Sequence, residues 1–205
     1  MLLSISVNVS ANTTDDEMYT LAKQGYLSAD SASQELYQRQ LERLAYSGVD
    51  PAARFLANAP ELSDQRVHWL YLSTLMGNPL SYFNLAQHYL AQSNRSLASV
   101  WLKRALVKQT VLARSSSQEA YQMATMLEWA IVRFGAQLDP SSAMNWYAKA
   151  AQGGHPGAMF ALGRASLTGK GLPQNVEVAH ALLTIAADAD SNQAQQLLDW
   201  LDQQS

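Results

Sequence analysis

The sequence contains no cysteine, which excludes disulfides and thiolate metal sites. Charge is scarce too. Asp, Glu, Lys and Arg make up 15% of the 205 residues, against about a quarter in an average soluble domain. The net charge is −3 and the basic residues are scattered. The densest group, Lys103, Arg104 and Lys108, reads as a solvated helix face rather than a phosphate track, so nucleic acid is not an expected partner. No stretch approaches the roughly 18 consecutive apolar residues of a membrane-spanning helix, so no transmembrane segment is expected.

What is present is punctuated regularity. At the N-terminus Leu3, Ile5, Val7 and Val9 alternate with Ser4, Ser6, Asn8 and Ser10, the pattern of a short strand with one apolar face. Val9-Ser10-Ala11 also fits the small-x-small pattern of a signal-peptidase site. Residues 1–14 are therefore expected to be a disordered segment or a signal-peptide remnant. The second reading points to the periplasm or cell envelope, with the cytoplasm as the alternative. From Asp15 onward the apolar residues recur with helical period. Ser31–Ser47 reads as a helix ended by Gly48, and Asp50-Pro51 as an N-cap followed by proline at the first helical position. Ala59-Pro60 stops that helix and Ser63 starts the next. Asn78-Pro79, Ser116 with Glu119, Asp139-Pro140, His155-Pro156 and Asn175-Val176 repeat the same grammar. About eleven helices result.

The chain also repeats itself. A displacement of 36 relates Gly135 to Gly171, Ala143 to Ala179, Trp146 to Leu182, Ala150-Ala151 to Ala186-Ala187, and Ala158 to Ala194. A displacement of 77 relates Trp69 to Trp146, Gly77 to Gly154, Pro79 to Pro156, Phe83 to Phe160 and Leu85 to Leu162. Trp101 takes the corresponding place between Trp69 and Trp146. The interval from Trp101 to Trp146 is the longest, and its excess falls at Val107–Ser117 as a longer helix or an inserted loop. Such self-similarity is the mark of stacked helix pairs, each leaving an apolar face for the next to cover. Small residues (Ala150, Ala151, Ala158, Gly163) permit close helix approach, while Trp146, Phe160 and Leu162 fill the gaps between pairs.

The stretch Ala143-Met-Asn-Trp146-Tyr147-Ala-Lys149-Ala150-Ala151-Gln-Gly-Gly154-His155-Pro-Gly-Ala158-Met-Phe-Ala161-Leu162-Gly163 resembles the Sel1-like repeat family, a relative of the tetratricopeptide repeats. Gly169-Lys170-Gly171-Leu172-Pro173-Gln174-Asn175 is similar to that family's glycine-rich loop. The likeness is specific over roughly 117–195, weaker over 48–105 and poor before 48. Ser73-Thr74 and Ala105-Leu106 replace the paired alanines in the earlier units. The expected fold is all-α, a right-handed α-α superhelix (solenoid) of antiparallel helix pairs. Residues 15–205 would form one helical-repeat domain. It would comprise degenerate helices at 15–47, irregular repeats at 48–116, regular repeats at 117–190 and a capping helix at 192–203. The resemblance implies a protein-binding scaffold, as in assembly factors, envelope-complex components or regulators of bacteria.

No constellation for catalysis accompanies this pattern. His68, His88, His155 and His180 are not spaced as metal ligands, and His155 fits a capping position. Ser115-Ser116-Ser117 lacks a nucleophile context, and Gly169-Lys170-Gly171 lacks the ending of a phosphate loop. No enzyme, cofactor or metal is expected. Nine Tyr and five Trp exceed what interfaces between small-residue helices can hide. Tyr82, His88, Tyr89, Tyr121, Gln122, Asn145 and Arg164 are thus the candidate contacts for a protein partner on the concave face. A polysaccharide- or peptidoglycan-associated binding protein is the alternative, since stacked aromatics with Asn and Gln donors also suit sugars. The partner's identity and the oligomeric state are not encoded in any motif.

Overall fold

The computed structural model describes residues 14–135 and 139–203. The strand-or-signal reading of residues 1–13 lies outside these. Among the described residues the chain forms eleven α-helices, one 3-10 turn and no strand, the all-α superhelix class expected from the repeats. None of these helices is long and apolar enough to cross a membrane. The chain divides into two compact units, Met1–Trp101 and Leu102–Ser205.

The first unit holds α1 (Asp15–Ser28), α2 (Ser31–Tyr46), α3 (Asp50–Asn58), the 3-10 turn Pro60–Leu62, α4 (Arg66–Leu75) and α5 (Pro79–Ala91). The helix α6 (Arg95–Leu112) begins in it. Asp15 and Asp16 fall inside the first turn of α1, where their charge favours the dipole, and Thr14 with Glu17 closes a capping box in front of them. Alternate helices touch through aromatic rings. Tyr26 of α1 meets Phe55 of α3 edge-on at 5.4 Å, Tyr46 of α2 meets Trp69 of α4 at 5.4 Å, and Tyr71 of α4 meets Trp101 at 5.1 Å.

Two helix starts differ from the sequence reading. Asp50 is not the N-cap of α3. Val49 is, and Asp50 is the first helical residue with Pro51 after it. The Asp50 carboxylate is taken up by more distant donors: Arg54 Nε at 2.9 Å, Asn78 Nδ2 at 2.6 Å and the Ser73 hydroxyl. Ser63 does not cap α4 either. It terminates the 3-10 turn, and α4 starts three residues later behind Gln65 without a side-chain cap.

The second unit contains the rest of α6, then α7 (Ser117–Phe134), α8 (Pro140–Gln152), α9 (Pro156–Thr168), α10 (Val176–Asp188) and α11 (Asn192–Asp202). The excess length before Trp146 is helix, not loop: α6 and α7 have 18 residues each, joined by only four. Caps at Asn78, Asp139, His155 and Asn175 sit where the sequence placed them. Ser116 accepts the Glu119 N–H, but the Glu119 carboxylate does not reach back to complete a box. It accepts 2.8 Å from Nε2 of Gln109, a buried amide on α6.

α7 packs on α8, α8 on α9 and α9 on α10. Ala120, Ala124, Ala143, Ala150, Ala158 and Ala161 form the close contacts of the core, with Met123, Leu127, Met144, Tyr147 and Leu162 as its bulk. Tyr147 rather than Trp146 occupies the deep slot, and Trp146 lies half-buried with the Lys149 ammonium 5.3 Å from its ring. The equivalent deep residues are Leu70 before it and Leu183 after it. In this repeat the deep face is thus one residue, or about 100° of helix, from the tryptophan, whereas Trp69 and Trp101 are themselves buried. A smaller core joins α9, α10 and α11 through Leu183, Ala186, Ala194 and Leu198, flanked by Met159, Phe160, Leu167, Leu197 and Leu201.

Gly163 sits at a close contact between α9 and α10. A Cβ there would lie 2.9 Å from Leu183 Cγ and 3.2 Å from the Ala179 carbonyl oxygen. The first unit solves the equivalent packing differently. Ser73 and Ser81 stand 77 residues before Ala150 and Ala158, and all four are buried completely. Small side chains keep the helices close in both units, but the serine hydroxyls also bond each other at 2.5 Å and tie in Asp50.

Candidate functional site

The sequence-predicted contacts fall into two groups. In the first unit Tyr82, His88 and Tyr89 are half-buried. The Tyr82 hydroxyl donates to the Thr74 carbonyl at 2.9 Å, and its ring lies 5.9 Å from Trp101. Tyr89 is hydrogen-bonded to Tyr71, which together with burial raises its phenol above the ordinary range. The His88 ring meets Tyr89 edge-on at 5.4 Å. These aromatics fasten α5 to its neighbours.

In the second unit the structure brings Tyr121 and Arg164 onto one surface and adds residues not foreseen. α7 and α9 lie side by side, and the 36-residue repeat decides which side chains meet. Tyr121 faces Gly157: a Cβ on that glycine would lie 3.1 Å from the ring. Glu128 faces Arg164, with Oε1 accepting from a guanidinium nitrogen at 2.6 Å. The other oxygen of Glu128 accepts the Tyr147 hydroxyl at 2.7 Å. Burial first, then this hydrogen bond and the Glu128 charge, keep the Tyr147 phenol protonated far above its usual range. Glu128 is therefore fixed from two sides, and the guanidinium it holds stands 6.0 Å from the Phe160 ring.

At the start of the same helices Tyr121 stacks on His155, centroids 4.1 Å apart and planes at 15°. His155 Nδ1 accepts the Ala158 N–H that begins α9, so the ring proton sits on Nε2 and is donated to Gln118 Oε1 at 3.0 Å. Burial holds the imidazole pKa below its ordinary value. Gln122, Trp129 and the strongly exposed Val132 continue along α7. Asn145 is exposed on α8, the other helix layer, and does not join this strip.

The strip runs along Tyr121, Gln122, Glu128, Trp129, Phe160 and Arg164. Rigid aromatics alternate with a pre-oriented ion pair, and this suits an extended or helical polypeptide laid across α7 and α9. Glu128, Trp129 and Phe160 were missed from sequence. The signal was there for one of them, because Glu128 and Arg164 are opposite charges one 36-residue period apart.

Stacked antiparallel pairs with this period define a helical-repeat protein. Residues 120–155 and 156–191 match the family model for the Sel1 repeat. The second unit thus carries two stretches that match the Sel1 repeat. No curated protein matches the chain in sequence. Among solved structures it is similar to a Sel1 repeat protein from Oxalobacter formigenes, with a TM-score of 0.58 at 22% identity over 93% of this chain and 59% of that one. It is also similar to a protective antigen of uropathogenic Escherichia coli strains that displays an SLR fold, with a TM-score of 0.55 at 16% identity over 91% of this chain and 41% of that one. The chain thus spans little more than half of the first and less than half of the second.

Proposed function

We propose that the protein is a binding scaffold whose α7–α9 strip grips a segment of a partner protein, and that it works by presenting a surface rather than by catalysis. Sel1 repeats generally mediate protein–protein interaction, and two of them build this strip. The observation that carries the reading is the fixed Arg164–Glu128–Tyr147 chain. A guanidinium held in place beside Phe160 loses little freedom on binding, which is what an interface anchor requires.

Photocrosslinking tests it in cells. A photoreactive phenylalanine at position 129 or 164 should give a discrete protein adduct, and one at position 145, on the other layer, should not. Adducts confined to position 145, or to sugars rather than protein, would contradict the proposal.

A further inference from the structure

The charges of the second unit are segregated. Residues 102–114 carry Lys103, Arg104, Lys108 and Arg114 and no acid, whereas residues 171–205 carry Glu177, Asp188, Asp190, Asp199 and Asp202 and no Lys or Arg. Each of these two regions also exposes β-branched residues on a helix face turned from the core. On α6, Val107 and Val111 are 69% and 70% exposed, one turn apart and opposite the buried Ala105 and Gln109. Lys103 lies a turn before them and Arg114 just beyond the helix end. On α10, Val178 and Ile185 are 46% and 50% exposed, two turns apart, with Glu177 and Asp188 exposed beside them.

The spacing matches as well as the sign. Lys103 to Arg114 and Glu177 to Asp188 are both 11 residues, about 16 Å of helix rise on α10, with Arg114 in the turn that follows α6. α8, the other helix of this layer, offers no such apolar stripe: after its first residue, Asn145, Lys149 and Gln152 are its exposed residues. Exposed valine and isoleucine flanked by charge of one sign are the composition of a docking face rather than of a solvated one.

We propose that the basic α6 face of one copy docks against the acidic α10 face of a second copy, giving head-to-tail self-association. Two different surfaces meet, so the contact is heterologous and a pair keeps one free face of each kind, one on each copy, which permits growth beyond a dimer. The strip on α7 and α9 is not used, so self-association and partner binding are separable.

Sedimentation velocity at low and high ionic strength tests this. Native protein should associate with rising concentration at low salt and dissociate in high salt. The variants K103E/R114E and E177K/D188K, folded by circular dichroism, should each stay monomeric where native protein associates. Their equimolar mixture should associate again, because the swapped faces are complementary. Native protein that stays monomeric at low salt, either variant associating like native, or a mixture that stays monomeric would each overturn the proposal.

Discussion

Single residues carry the closeness of the helices. Gly163 shows it best, because intrinsic propensity and packing predict opposite signs. In a free helix Gly→Ala gains about 1 kcal/mol. Here the new methyl would meet Leu183 and the Ala179 carbonyl, and overpacking of this kind loses about 1–3 kcal/mol. Chemical denaturation of Gly163→Ala should therefore show a lowered midpoint; a raised one would mean α9 and α10 are not in this contact. Ser73 makes the complementary case. Ser73→Ala restores the alanine found in the regular repeat yet strips Asp50 and Ser81 of a buried partner. A loss of about 1–3 kcal/mol is expected, again read by denaturation, where a surface serine would give almost none.

At the scale of elements, the caps decide where helices begin, and His155 joins a cap to the strip. Its imidazole is held below the ordinary value of 6.5 by burial. The folded state therefore prefers the neutral ring, which is the form that accepts from Ala158 and stacks on Tyr121. Its contribution is complete above the unfolded value and is lost as pH falls through it toward the folded one. Thermal midpoints taken at about pH 7.5 and about pH 5 should show a smaller fall for His155→Asn, which keeps a capping oxygen, than for native protein. Equal falls would refute the role of this ring.

Most element starts were legible because capping is local: Asn78-Pro79, Asp139-Pro140, His155-Pro156 and Asn175 need only their own next few residues. Asp50 was misread because its partners Ser73 and Asn78 lie 23 and 28 positions away, beyond any local rule. The choice of Tyr147 over Trp146 was hidden for a related reason. A tyrosine enters the deep slot once its hydroxyl finds Glu128, and that residue sits on another helix. The strip was half visible. Tyr121 and Arg164 were singled out for their type, whereas Glu128 becomes visible only when the repeat period is applied to charge.

At the scale of the molecule, the second unit is the regular one, where the 36-residue period sets both the core and the pairing of side chains across α7 and α9. The first unit keeps the same alternation of helices but replaces alanine contacts with a hydrogen-bonded core around Asp50. On the proposed function, the α7–α9 strip captures a protein partner. Quantitative capture from native extract, read by mass spectrometry, tests it most directly with Trp129→Ala and Arg164→Ala beside native protein. Helical circular dichroism should be unchanged, and the same captured partner should fall by about tenfold or more in each variant, a loss of about 1.4 kcal/mol. Undiminished capture by both folded variants would contradict the claim.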